Sequence, residues 1–454
     1  MHCYVKIQGD ICSGPRIGGK METKLNLISE MSKSDKELRF KTLMHLVNVM
    51  NLRKCFYMLK KDKAAGIDGI DFETYEKNLH SNLEELVGRM KQMSYRPRAV
   101  KRVYIPKSGG GQRGLGIPCV EDKIVQLCFT RILEAIYDHD FKEYSFGFRR
   151  GRSCHQALGY LGEIVEKRPV NFVLDADIKG FFDHVNHQKL LKLLELRICD
   201  KRFLRYVSRI LRSGVIEDAR FSRSIKGTPQ GGVISPILAN IYLHYALDNW
   251  FDNQVQGAVG GYVGIVRYAD DFVICCQRNE DAQRILSSLQ KRLKKYDLEL
   301  SLEKTHVVRF GRYWYRRWQK GGEKPGTFNF LGFTHYCGQS RKGHFLLGRR
   351  TEAKRFRRGL NSLYAYMKVH RCNPIAQVWK MVSQKLNGYY RYFGVSGNSR
   401  RLNQFHRIAE QILLKWLNRR SQKRSFTWSN FHVYLKRYPL PRPIIRVNLY
   451  SYGR

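Results

Sequence analysis

Tyr268-Ala269-Asp270-Asp271 sets two adjacent carboxylates between two apolar runs, Val263-Gly264-Ile265-Val266-Arg267 and Phe272-Val273-Ile274-Cys275-Cys276. Such runs read as buried strands joined by a tight turn, so the acidic pair sits at the mouth of a hydrophobic hairpin. Like charges this close repel, and each raises the other's pKa unless a cation neutralises both. An isolated Asp-Asp pair usually marks a solvated turn. Apolar strands on both sides and an aromatic residue immediately before argue otherwise here. A hard divalent cation such as Mg²⁺, which takes carboxylate oxygens as ligands, satisfies the pair.

Two ions held about 4 Å apart for in-line phosphoryl transfer require a third carboxylate. The run Phe172-Val173-Leu174-Asp175-Ala176-Asp177 supplies one, because Asp177 ends an apolar strand where a ligand at a sheet edge would sit. Asp177, Asp270 and Asp271 are thus the expected metal-binding and catalytic triad, with two Mg²⁺ ions. Asp271 is expected to ligate only transiently or through water, since successive side chains diverge in a tight hairpin. Asp175, on the same strand face as Asp177, reads better as a supporting acid. Asp183 reads as a helix cap. The combination is that of a polymerase palm.

The charge balance agrees with a polyanionic partner. Among 454 residues, 82 Lys+Arg stand against 39 Asp+Glu, a net +43, while 43% hydrophobic residues exclude a disordered basic tail as the whole chain. From Arg341 to Arg454 there are 26 Lys+Arg and two acids, Glu352 and Glu410. That quarter of the chain therefore carries +24 of the +43. No apolar stretch is long enough to span a membrane, so no membrane partner is expected. The eleven cysteines include no CxxC pair, which suits a reducing compartment. The N-terminus lacks the apolar core of a signal peptide, and Met21 is an alternative start to Met1.

The patterning is α+β. A helix is expected over about 34–61. Strands at about 100–106 and 114–118 flank Ser108-Gly109-Gly110-Gly111 as a hairpin with a basic rim. Further helices are expected over about 121–137, 185–196, 235–251 and 280–296, and 312–326 reads as a poorly ordered basic-aromatic insertion. Phe356, Leu360 and Leu363, then Val378, Val382 and Leu386, then Leu402, Phe405 and Ala409 recur at helical spacing. Three amphipathic helices in a row make a small helical domain.

Other motifs stand in a fixed order: Ala65-Gly66-Ile67-Asp68-Gly69, Tyr95-Arg96-Pro97, Ile105-Pro106-Lys107-Ser108-Gly109-Gly110-Gly111-Gln112-Arg113 and Gly114-Leu115-Gly116-Ile117-Pro118. Ser145-Phe146-Gly147-Phe148-Arg149-Arg150-Gly151-Arg152-Ser153 follows, then the Asp177 strand and Gly227-Thr228-Pro229-Gln230-Gly231-Gly232. After the Tyr268 box come Leu302-Glu303-Lys304-Thr305 and Phe330-Leu331-Gly332-Phe333. Over about 51–443 this series resembles the group II intron-encoded reverse transcriptase/maturase family.

The resemblance implies a right-hand polymerase fold, with fingers and palm carrying a small antiparallel sheet over 51–345. An α-helical thumb, or maturase domain, would follow over 346–424, flanked by a partly helical extension at 1–50 and a short basic region at 425–454. The implied activity is RNA-directed DNA synthesis, transferring nucleotides from dNTPs onto a primer 3′-OH, together with assistance to group II intron splicing and retrohoming. Implied partners are the intron RNA and an RNA template with a DNA primer or target; a homodimer stays open. A bacterial cytoplasm is the implied location, with an organellar origin also open.

Residue by residue, Lys107 and Arg113 beside the glycine turn match nucleotide-triphosphate contacts, and Lys304 matches a third. Phe181 and Phe182 match a ring that excludes a 2′-OH, with Phe181 preferred as the gate. Gln230 would lie under the nucleotide or template base. Arg96, Arg98, Arg149, Arg150 and Arg152 are candidates for template or primer phosphates. No HNH endonuclease signature follows the helical domain. The alternatives are an RNA-binding maturase whose polymerase site is unused, and a host-adopted reverse transcriptase in repair or phage defence.

Overall fold

Eleven strands and the helices between them make a mixed α+β architecture in the computed structural model, which describes residues 19–106, 112–217, 220–222, 227, 231–420 and 426–450. The strands are β1 (Val100–Pro106), β2 (Gln112–Ile117), β3 (Phe172–Asp177), β4 (Val215–Glu217), β5 (Arg220–Ser222), β6 (Val263–Tyr268), β7 (Asp271–Cys276), β8 (His306–Arg309), β9 (Phe328–Phe330), β10 (Phe333–Gln339) and β11 (Phe345–Thr351). They form three sheets, ordered β2-β1-β4-β5, β6-β7-β3-β8 and β11-β10-β9.

The second sheet is the centre of the molecule, and period-two alternation explains its position. Leu174, Ala176, Ile265, Phe272, Ile274 and Cys276 enter one hydrophobic cluster, with the helices Val120–Tyr137, Ser235–Leu243 and Asn279–Lys295. Val173, Val266, Val273, Cys275 and Val308 enter a second cluster on the opposite face. That cluster also holds the helix Cys154–Lys167, Phe328, Phe330 and the apolar stripes of the helices Ala353–His370, Ile375–Phe393 and Ser399–Leu417. The three C-terminal helices fall where their spacing placed them, and they share a core with the central sheet.

Two expectations change. The 34–61 helix is broken: Gly19–Ser34 and Val49–Met58 are helical, and Asn48 caps the second by accepting from Asn51 N–H. The 312–326 insertion begins with an ordered helix, Arg312–Gln319, which seats Tyr315 against Phe345 and Trp314 edge-on to Phe172. The described C-terminal residues 426–450 fold back, with Phe431, Leu440 and Leu449 in the second cluster. No helix among the described residues is long and apolar enough to cross a membrane.

Candidate active site

Antiparallel register gathers the acidic residues. β3 and β7 pair so that Asp177 faces Asp271, and β6 and β7 pair Tyr268 with Asp271. Ala269 and Asp270 are therefore the two residues of the hairpin turn, and Ala269 takes φ 57° to close it. Facing residues in such a ladder have Cα atoms about 5 Å apart with side chains on the same side. Asp175, two residues back along β3, shares that side and faces His306 on β8. One end of one sheet face thus carries Asp177 and Asp271 beside the Asp270 turn.

The electrostatics reflect this crowding. Asp271 is pushed up to about 8, first by burial and then by Asp270, Asp175 and Asp177, while a Leu331 backbone hydrogen bond pulls it back. Burial likewise pushes Asp175 up to about 6, opposed by His306 and an Asn329 backbone hydrogen bond. Lys304 Nζ donates to Asp177 Oδ2 at 2.8 Å. That pair is exposed, worth about 0–1 kcal/mol, and easily displaced.

A raised carboxyl pKa has a definite consequence for stability. Between the ordinary value of 3.8 and about 8 the folded state holds the Asp271 proton more tightly than the unfolded chain does. Stability therefore falls as pH rises through that window. In EDTA, the urea midpoint should drop from pH 5 to pH 8, and Asp271→Asn should flatten most of the drop. A parent midpoint that rises over the same range would contradict this account of the cluster.

The turn is held from behind by residues that sequence reasoning passed over. Arg267 is fully buried, and its guanidinium donates to both Asp248 oxygens (2.8 and 2.5 Å), to Ser145 Oγ (2.7 Å), to Asn240 Oδ1 and to the Ala269 carbonyl, the last two at 3.1 Å. Asp248 lies where the helix Ser235–Leu243 widens into π-helical turns. Asn240 also donates to the Gly147 carbonyl at 2.6 Å. A Cβ at Gly147 would stand 2.3 Å from the Ala269 nitrogen, so only glycine lets that segment lie against the turn. The Ser145-to-Arg152 motif is in part a backing for the acidic hairpin.

The same contacts correct one assignment. Arg149 is not available to a template phosphate: it donates to Asp138 Oδ1 and to the carbonyls of Asp138, Lys142 and Ser145. Arg150 and Arg98 remain mostly exposed, in surface pairs with Glu134 and Asp68, and Arg96 is exposed.

Phe181 and Phe182 lie in a short helix, Phe181–His184. Phe181 is 2% exposed and in the first cluster, which counts against it as the gate. Phe182 is only partly buried, edge-on to Phe181. Lys107, Gln230 and the Arg113 side chain lie outside the described residues; the Arg113 backbone pairs with Ile105.

On the other side of the acidic end, the β9–β10 turn forms a roof. Leu331 takes φ 50° there, and Tyr392, from the helix Ile375–Phe393, donates to its carbonyl at 2.8 Å. His155, on the helix Cys154–Lys167, lies 2.8 Å from the Tyr392 carbonyl. The helical C-terminal segment is thereby tied to the roof of the acidic end.

Among the described residues, no three Asp, Glu, His or Cys side chains converge closely enough to hold a metal ion as they stand. The donor chemistry nonetheless suits hard cations: three carboxylates stand at one sheet end, Asp271 is pushed up by burial and its acidic neighbours, and an ammonium is already drawn to Asp177.

Comparison with known proteins agrees with this geometry. The family described as reverse transcriptase (RNA-dependent DNA polymerase) matches residues 105–335. The chain is 33% identical over 288 residues to protein YkfC of Escherichia coli, covering 55% of this chain and 75% of that protein. It is 33% identical over 229 residues to the group II intron-encoded protein LtrA of Lactococcus lactis subsp. cremoris, covering 49% of this chain and 38% of LtrA. An uncharacterized 91 kDa protein in the cob intron of Schizosaccharomyces pombe is 34% identical over 246 residues, 52% of this chain and 30% of that one. The chain thus spans most of YkfC but well under half of the other two.

Proposed function

The chain belongs to the reverse transcriptase (RNA-dependent DNA polymerase) family, and from that premise we propose that it extends a DNA primer on an RNA template and assists the splicing and mobility of a group II intron. The observation that carries the reading is the register pairing of Asp177 with Asp271 beside the Asp270 turn. The intron role rests on the similarity to LtrA and to the protein in the Schizosaccharomyces pombe cob intron.

We assign Asp177, Asp270 and Asp271 to hold two Mg²⁺ ions, with Asp177 and Asp270 the principal ligands. Bound there, the ions would supply charge neutralisation for the attacking 3′-OH and the departing pyrophosphate. Lys304 would leave Asp177 for a triphosphate oxygen, keeping its charge at the site as substrate arrives. Lys107 and Arg113, on the β1–β2 hairpin, would meet the same triphosphate from the fingers. Gln230 would contact the base pair without reading sequence. The central sheet would be the palm and the helices from Ala353 to Leu417 the thumb. A bacterial cytoplasm is the proposed setting.

Phe182, the more exposed ring of its pair, is proposed as the steric gate against the 2′-OH. Phe182→Ala should raise rNTP relative to dNTP incorporation by at least about tenfold, since removing a clash admits the larger substrate. Phe181→Ala should instead lower thermal stability with little change in that ratio. Steady-state incorporation of matched rNTP and dNTP by both variants decides the assignment, and an unmoved ratio in Phe182→Ala would place the gate elsewhere.

The overall reading is tested by dNTP incorporation on an RNA template with and without Mg²⁺, and by sequencing RNA that co-purifies with the protein. Incorporation without any structured intron RNA would favour a host-adopted polymerase. Intron RNA without incorporation would favour a maturase whose polymerase site is unused.

A further inference from the structure

A cavity of about 870 Å³ lies at the opposite end of β3 from the carboxylates, between residues 167–171 and the helix Arg312–Gln319 with its following turn. Six of its twelve lining residues are Lys167, Arg168, Arg312, Arg316, Arg317 and Lys320, and none is acidic. Asn171 lines it and Asp177 ends the strand that starts one residue later. Six residues at about 3.3 Å each set the cavity roughly 20 Å from the reacting end. It cannot hold the triphosphate that the acidic cluster would process.

The cavity wall is fixed to the sheet. Gly311, φ 106°, lets the helix start hard against β3's entry: a Cβ there would lie 1.9 Å from the Val170 carbonyl oxygen. Phe310 N–H donates to the Asn171 carbonyl at 2.9 Å and Gly326 N–H to the Arg309 carbonyl at 2.9 Å, clipping the segment at both ends. Tyr315 and Trp314 anchor it inward, which turns Tyr313, Arg316, Arg317 and Lys320 outward. Tyr313 is 53% exposed and also lines the cavity. Cations distributed along two segments, with an exposed ring among them, suit a chain of spaced phosphates and bases better than a single compact anion.

We propose that this cavity is a second polynucleotide site, which grips the phosphodiester backbone of an RNA strand away from the catalytic end and stacks a base on Tyr313. It rests on the RNA-binding part of the function proposed above and is independent of polymerisation. Lys167 is paired with Glu163 at 3.0 Å; gathering the other five cations with no acid in the lining costs self-repulsion, and a bound polyanion removes that cost.

The test uses the full chain carrying Arg316→Ala, Arg317→Ala and Lys320→Ala, all at exposed positions. Binding of a fluorescent 20-nucleotide RNA is measured by anisotropy across salt concentrations, beside a DNA strand of the same sequence. Three lost contacts should reduce the slope of log K against log salt by about two, at roughly 0.7 each for a single strand. Affinity near 0.15 M salt should then fall on the order of tens-fold. The double variant Arg316→Lys, Arg317→Lys should keep the parent slope, and extension of a short primer-template by the triple variant should match the parent.

An unchanged slope in the triple variant overturns the proposal. So does an equal loss of short-template extension, which would make the segment a support for β3. Displacement of RNA by micromolar tripolyphosphate with no slope change assigns the cavity to a small polyanion instead. An inactive parent whose triple variant still loses slope would defeat only the polymerase reading. A larger slope loss for RNA than for DNA identifies RNA as the strand; equality would leave any single strand as the ligand and overturn the RNA assignment.

Discussion

Asp270→Asn is expected to lower Mg²⁺-dependent DNA synthesis on an RNA template by at least about 10³-fold, with RNA binding intact. The substitution keeps shape and removes one charge from a site whose proposed work is to concentrate negative charge for divalent ions. Each factor of ten in rate is about 1.4 kcal/mol, and metal-assisted stabilisation of a phosphoryl transition state is worth several. Asp270 sits in a two-residue turn, so its replacement disturbs no ladder pairing. Asp175→Asn is the matched control: it is also acidic and on the same face, but it lies further back, paired with His306 and an Asn329 backbone hydrogen bond. Its loss should cost much less. Single-turnover extension of a short primer at saturating Mg²⁺ reads both variants, and activity of Asp270→Asn within tenfold of the parent would sink the assignment of this turn.

The acidic hairpin was legible because it obeys local rules. Two apolar runs flank a turn, and a period of two then dictates that Asp177 and Asp271 share a face once the strands pair. The three C-terminal helices were legible for the same reason, since a 3.6-residue apolar period can be read from neighbouring residues alone. What was not legible depends on distance along the chain. Arg267 reads as an ordinary strand-end cation until Asp248, Asn240 and Ser145 converge on it from 19, 27 and 122 residues away. Arg149 is the exception: it read as a phosphate contact although its acceptors lie only 4 to 11 residues back, because they converge on it only when that loop folds. β4, β5 and β9 are three residues each, too short to show a period, and β4 finds β1 through a parallel pairing that no local signal announces. The Arg312–Gln319 helix was missed because its arginines and aromatic rings resemble a solvated insertion. Its order comes from Trp314 and Tyr315 finding seats on distant elements.

Arg267→Met should destabilise the fold by about 3–5 kcal/mol, because it leaves Asp248 buried with no countercharge. Both side chains of this pair are fully buried, and burial already pushes the Asp248 carboxyl upward, with Arg267 the main opposing influence. The companion variant Arg267→Met, Asp248→Leu removes the orphaned charge and should recover most of the lost stability, since replacing both members of a buried pair with apolar groups is often neutral. Activity should not return with it. Arg267 also donates to the Ala269 carbonyl and, through Asn240, secures the Gly147 segment against the turn. A methionine can do neither, so Asp270 loses its fixed position even in a stable protein. Urea unfolding and primer extension on the same three proteins separate the effects. If the double variant regains both stability and parent activity, Arg267 is a packing device alone. If it regains stability while extension stays depressed, the buried guanidinium is what positions the acidic turn.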